Sequence, residues 1–449
     1  MSTTTDRVPA GTGYVLSPEL AALDAVVSAE AGLVESVGRV SAEGSAFAVF
    51  GAVLGGIGKV HANIDRSASR ASAVEISGTG GDVEPDLARA ISIVEAIERH
   101  ANCVPSRQVR WSSLDDLDGP ALDMSQVPVC SPEELADPRC PVTTFDPAET
   151  VRWVQGWSLT ASEPTWVPAV MTWLHMPPLT RSERFTLPIS TGCAAHTDLA
   201  AAVVGGLCEV VERDAISLVW LQKLALPPID FTGAPPEVLE RLEAAERDGR
   251  RYRFFDATTD LGIPTVYCLE IDERHDTLRQ IVMCDCNLDP ALSVMKILRE
   301  VAASRLGLET FGEIPDDVSS FITVYDGAIY MGAPERSSSF DFLVDSATPP
   351  VRLVDMGVTG LRTPHDKLDF LVERLASRGC DVVAVDISTR ESEMAGVHVV
   401  KVVVPQLVPL SFVHSARFLG SPRVVSAPAA MGHPGRSLET VTDDPQPFA

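Results

Sequence analysis

Along most of the chain the apolar positions recur with a period near 3.6 in some stretches and near 2 in others, which predicts a mixed α/β (α+β) architecture. Three stretches carry the helical pattern with recognisable ends. The first follows Glu84-Pro85, with Pro in the opening turn, and runs to about Cys103. The second opens at Thr197-Asp198, which supplies the cap, and runs to about Gln222. The third opens at Asp289-Pro290, reads ALSVMKILREVAASRL, and is expected to stop at Gly307. Strand-like runs are PTVYCLEI from Pro264, QIVMCDC from Gln280, FITVYDGAIYM from Phe321 and VHVVKVVV from Val397. The stretch from Pro364 to about Ser388 reads as a helix ended at Gly379, then a strand. Residues 1–45 form a weakly patterned N-terminal segment and 46–449 one domain. Its last part, 420–449, turns polar and Pro-rich and closes on DDPQPFA, which should be extended.

The helical patterns contain one repeated oddity. Glu-x-x-Glu-Arg occurs at Glu95, Glu98 and Arg99 and again at Glu209, Glu212 and Arg213. Positions i, i+3 and i+4 share a helix face, so each triplet projects together. On an exposed helix this would be an ordinary salt bridge worth a few tenths of a kcal/mol. The second triplet, however, sits among Val203, Leu207, Val210, Val211, Ile216, Leu218 and Trp220, and a helix apolar almost all round is buried. Buried carboxylates need a partner, and one arginine cannot satisfy two of them. Mg²⁺ would: it takes oxygen ligands and commonly joins one or two carboxylates to a phosphate. The third helix adds Glu300 and Arg305, which makes five carboxylates against three guanidiniums, a net charge of −2. Such a site repels bare ATP and accepts it with Mg²⁺.

Bulk composition narrows the choices. A formal charge of −26 and a pI near 4.7 argue against nucleic-acid or anionic-membrane binding. No signal-like start is visible, and the most apolar run, AFAVFGAVLGGIGKV, is too short and Gly-rich to span a bilayer. Nine scattered cysteines read as reduced thiols in a cytoplasmic protein. GAVLGGIGKV fails as a P-loop because Val53 and Val60 stand where Gly and Ser/Thr are required. SGTGGD at 77–82 reads as a turn that could approach phosphates, and His100 and His196 as structural.

Taken in order, ISIVEAIER, STGCAAHTDLAAAVVGGLCEVVERDAISLVW, LDPALSVMKILREVAASR, VVVPQLVPL and the tail DDPQPFA resemble the YcaO superfamily, in particular its azoline-forming cyclodehydratase branch of ribosomal peptide (bacteriocin-type) maturation. The resemblance covers residue 46 to the end. It implies an ATP- and Mg²⁺-dependent enzyme that converts Cys, Ser or Thr of a ribosomal precursor peptide to thiazoline or oxazoline. It implies that Glu95, Glu98, Glu209, Glu212 and Glu300 bind Mg²⁺ and ATP. Ser92, Thr197, Arg99, Arg213 and Arg305 would contact the nucleotide. Glu98, Glu212 and Arg213, with Pro445, Pro447 and Ala449 of a tail held in the active site, would serve catalysis. Thr191, His196, Thr197, Ala201, Ala303, Thr79 and Ala449 depart from the family pattern. Expected partners are a separate leader-binding protein, a flavin dehydrogenase and a second copy in a homodimer. Rival readings are a thioamide- or macroamidine-forming YcaO enzyme and a non-catalytic YcaO scaffold. ATP binding and the mass change of the peptide separate them.

Overall fold

The computed structural model describes residues 20–41, 47–55, 78–247, 249–311 and 313–448. The three expected long helices are present: α1 (Pro85–Cys103), α2 (Leu199–Gln222) and α3 (Pro290–Thr310). Asp198 caps α2 by accepting the N–H of Ala201, and Asp289 caps α3 by accepting that of Ala291. Thr197 precedes the cap and is exposed. Gly307 does not stop α3, because Leu308, one residue on, is buried and holds the final turn in place.

Among the described residues the strands form four sheets. Strands β1 (Val34–Arg39), β2 (Ala48–Leu54) and β3 (Gly78–Asp82) make an antiparallel sheet in that order. This pairing runs across the expected boundary at residue 45. A larger antiparallel sheet has the order β4 (Arg110–Ser112), β5 (Val151–Ser158), β13 (Val383–Asp386), β14 (His398–Val403), β7 (Cys193–His196), with β6 (Glu163–Pro168) paired to β5. A third sheet has the order β11 (Gln280–Cys286), β10 (Thr265–Ile271), β9 (Arg251–Asp256). Short β8 (Ile229–Asp230) and β12 (Val351–Arg352) pair in parallel.

Packing brings the three helices together. α1 lies against β1–β3 on one side and β7 on the other. The first approach is very close: a Cβ on Gly80 would stand 2.0 Å from the Ala88 carbonyl oxygen, so only glycine fits. The first half of α2 packs with β14 and the helix Pro364–Ala376; its second half packs with β10, β11 and α3. Every residue of β11 is buried, so both its faces are covered, which explains its continuous apolar run.

One strand-like stretch differs from expectation. The Phe321 run is a helix, Val324–Gly332, because Thr323 and Asp326 form a reciprocal capping box that an apolar alternation conceals. The C-terminal part contains the helix Arg423–Ala430, with Pro428 inside it. The last residues are extended but far from loose. Pro445, Gln446, Pro447 and Phe448 are all buried, and Phe448 forms a parallel bridge with Val282 of β11.

Candidate active site: carboxylates where three helices meet

The two Glu-x-x-Glu-Arg motifs do the same structural work twice. On α1, Glu95 Oε2 accepts the Thr79 N–H from β3 at 2.6 Å, and its Oε1 accepts Arg99 Nη2 at 2.6 Å and Nε at 3.1 Å. On α2, Glu209 Oε2 accepts the Gly192 N–H at 2.9 Å, and its Oε1 accepts Arg213 Nη2 at 3.2 Å. In each motif the first glutamate is therefore satisfied by a backbone amide from the preceding strand or loop and by the arginine one turn on. The second glutamate is left short of partners.

Glu98 receives the backbone N–H of Ala195 and faces Glu209 and Glu95. Burial, then repulsion from those two carboxylates, pushes its pKa up to about 8 against the pull of Arg99. Glu212 is 4% exposed and lies 3.2 Å from Arg213 Nη1. Burial raises it to about 8 as well, with Arg213 and Lys296 opposing and Asp285 and Glu209 adding to the rise. On α3, Glu300 is raised by burial and feels Lys296, Asp285, Arg299 and Arg213. The three helices thus contribute to one electrostatic unit with two lobes, Glu95/Glu98/Glu209 and Glu212/Glu300, joined through Glu209 and Arg213.

Further residues complete it. Lys296 Nζ lies 2.7 Å from Asp285 Oδ1 and 3.8 Å from Glu300 Oε1, and Ser293 donates to Asp285 Oδ2 at 2.7 Å. Arg299 reaches Asp82 at 3.5 Å and ties α3 to β3. Lys401 of β14 is buried, donates to the Ile189 carbonyl at 2.7 Å, and is attracted by Glu209 and Glu98; burial lowers its pKa. Lys296 could have been found from its i,i+4 spacing to Glu300. Asp285 in its C-D-C run and Lys401 in an apolar strand carried no comparable local signal. The last addition is aromatic: Phe448 lies with its ring centroid 4.4 Å from the Arg213 guanidinium carbon.

This donor set suits a hard cation. Carboxylates outnumber ammonium and guanidinium groups, and burial, with repulsion from neighbouring carboxylates, raises Glu98 and Glu212 to about 8. Among the described residues no three Asp, Glu, His or Cys side chains are gathered closely enough to enclose an ion by themselves. Mg²⁺ does not require such a cage, since phosphate oxygens and waters normally fill most of its shell.

The sequence pattern of the YcaO cyclodehydratase family, described as ATP- and Mg²⁺-binding, matches residues 79–408, which span all three helices and Lys401. The chain belongs to the YcaO family. As a YcaO protein it is an ATP- and Mg²⁺-binding enzyme. Its fold is shared with a heterocyclase solved in complex with substrate and cofactor, at TM-score 0.80 and 20% identity, covering 96% of this chain. The chain spans 57% of that protein's length. It is similar also to the E. coli microcin synthetase McbBCD complex with pro-MccB17 bound (TM-score 0.64, 15% identity, 94% of this chain and 98% of that one). The YcaO protein of Methanopyrus kandleri bound with AMPPCP and Mg²⁺ has TM-score 0.59 and 20% identity, over 84% of this chain and 86% of that one.

Two nucleotide contacts expected from the YcaO pattern, Arg305 and Ser92, are engaged by other groups of the fold. Arg305 is buried, and its Nε donates to Glu270 Oε1 at 2.8 Å while Nη1 donates to the Leu278 carbonyl at 3.0 Å. It lies five positions beyond Glu300, which turns it off that face. Ser92 is fully buried and donates to the Arg89 carbonyl at 2.7 Å, under β3. Thr197 is exposed and does not cap α2, since Asp198 takes that role. Pro445 and Pro447 are brought near the site through Phe448 and Arg213; Ala449 lies outside the described residues, as do Ser77 and residues 56–60 of the Gly-rich run.

Proposed function

We propose that this YcaO enzyme forms azolines: it cyclises Cys, Ser or Thr of a ribosomal precursor peptide onto the preceding amide at the expense of ATP. In the reaction the side-chain sulfur or oxygen loses its proton as it adds to the amide carbon, and the C=O π pair moves onto the carbonyl oxygen. The former carbonyl oxygen then takes the γ-phosphoryl group, breaking its bond to ADP. Phosphate leaves with that oxygen, the amide nitrogen loses its proton, and a C=N bond closes the thiazoline or oxazoline.

In this reading Glu98 in one lobe, and Glu212 with Glu300 in the other, would each hold Mg²⁺ together with phosphate oxygens, and the metal when bound supplies positive charge to the polyphosphate. Glu95 and Glu209, already bonded to backbone amides, fix the helix faces that carry them. Arg99 and Arg213 would contact phosphate. Arg213 is held flat by Phe448, so its donors are directed rather than free to wander. Pro445 and Pro447 stiffen the tail that brings Phe448 there. The observation that carries the proposal is this union of a cation-deficient carboxylate cluster with a buried Pro-rich terminus at one arginine. The tail favours azoline formation over the thioamide and macroamidine alternatives, and the retained Glu-x-x-Glu-Arg pairs favour an enzyme over a scaffold.

A separate leader-binding partner is supported by the likeness to McbBCD, which was solved as a complex with pro-MccB17 bound. A flavin dehydrogenase acting on the azoline, a homodimer and a cytoplasmic, bacteriocin-type setting belong to the same proposal. Among the described residues no helix is long and apolar enough to cross a membrane. The test is the mass of a candidate precursor peptide after incubation with ATP and Mg²⁺. Loss of one water per modified residue, absent from Glu98→Ala and Glu212→Ala, is the expected result. Exchange of oxygen for sulfur, or full activity in either variant, would overturn it.

A further inference from the structure

We infer that Lys223 and Asp444 form a latch that sets where the C-terminal segment meets Arg213, making Lys223 a positioning residue for the nucleotide site. The inference rests on the YcaO reading above. Lys223 ends α2 in the left-handed region, φ 49° and ψ 53°, a conformation that costs a non-glycine residue on the order of 1 kcal/mol. Its side chain is 8% exposed and folds back over Trp220, with Nζ 3.2 Å from the ring centroid. The same ammonium lies 3.0 Å from Asp444 Oδ2 and 3.2 Å from the Ser339 carbonyl. Charge, π-face and carbonyl thus use the ammonium fully.

Asp444 is pinned from a second direction, because Trp220 Nε1 donates to its carbonyl at 3.1 Å. Thr442 upstream donates its N–H to the Leu221 carbonyl at 3.0 Å. Thr442 also accepts Arg417 Nη1 at 2.8 Å. From that anchor the chain runs Pro445-Gln446-Pro447-Phe448 back along α2. Four residues at the polyproline rise cover about 12 Å. The seven residues from Trp220 to Arg213 rise about 10 Å along the helix. The segment is therefore just long enough to deliver Phe448 to Arg213, and its prolines leave little slack. Gly327 keeps the path open, since a Cβ there would stand 2.0 Å from the Gln446 carbonyl oxygen. Without the latch the aromatic ring would leave the guanidinium, and Arg213, paired with Glu209 and Glu212 at 3.2 Å, would lose the contact that fixes it for phosphate.

The experiment uses the full chain with Lys223→Met, Asp444→Asn and the charge-keeping Lys223→Arg. Two quantities are read: hydrogen exchange of the peptide covering residues 440–449, and calorimetric affinity for AMPPCP with Mg²⁺. Both neutral variants are expected to exchange the tail faster and to bind Mg²⁺–AMPPCP at least about tenfold more weakly, while Lys223→Arg stays near the wild type. Unchanged tail exchange in both neutral variants overturns the latch. Faster exchange with unchanged affinity overturns the positioning role. If the wild type itself does not bind Mg²⁺–AMPPCP, the nucleotide-site reading fails instead, a result distinct from either. Asp444→Asn serves as the second variant should Lys223→Met lose the fold, which the thermal transition reports.

Discussion

Burying a carboxylate without a counter-ion costs several kcal/mol, and Glu98 and Glu212 avoid that cost by holding protons up to about pH 8. Their folded-state pKa lies above the ordinary value of 4.5, so the folded protein binds more protons than the unfolded chain between those limits. Their contribution to stability is therefore fully present in acid and is lost as pH rises through about 8. Replacing Glu98 by Gln removes the titration. In metal-free buffer the melting temperature of Glu98→Gln should match the wild type near pH 5 and exceed it increasingly toward pH 9. A difference that stays constant with pH would remove Glu98 from the cluster. The importance of these residues was legible because ionised groups at i and i+3 in an apolar helix demand an explanation. Which of them stay satisfied was not legible, since Glu95 and Glu209 owe their backbone partners to Thr79 and Gly192, distant in sequence.

At the scale of elements, the helix ends could be read because Pro, Asp and Gly act locally. The exceptions are equally physical. Gly307 was outweighed by tertiary packing of Leu308, and the helix Val324–Gly332 depends on a capping box that looks like a strand's polar edge. Arg305 shows how a motif position can be filled for another purpose. Its buried pair with Glu270 links α3 to β10, so it serves the fold. Arg305→Met should strip about 3–5 kcal/mol of stability by leaving Glu270 buried and unpaired. Denaturant titration would show this, and nucleotide affinity of the protein that remains folded should be unchanged. Weakened nucleotide binding with normal stability would return Arg305 to the site.

At the scale of the whole molecule, β1–β3, the six-stranded sheet and the β9–β11 sheet each press one long helix into position, and the C-terminus closes the arrangement from the far end of α2. Sequence periodicity supplied most of the elements, while their convergence depends on contacts such as Gly80 against Ala88 that no local pattern announces. Deleting the last five residues would remove Phe448 from Arg213. Because Phe448 is buried on β11, such a deletion should also lower the melting temperature, which makes point substitutions the cleaner probes. The central claim is that α1, α2 and α3 together grip a Mg²⁺-bound triphosphate. Calorimetric titration of AMPPCP into the full chain, with and without Mg²⁺, tests it most directly, with Glu98→Gln and Glu212→Gln run alongside. Binding is expected only in the presence of Mg²⁺, with a loss of about 100-fold in each variant, the equivalent of one contact of about 3 kcal/mol to a charged group. Metal-independent binding, or wild-type affinity in both variants, would contradict it.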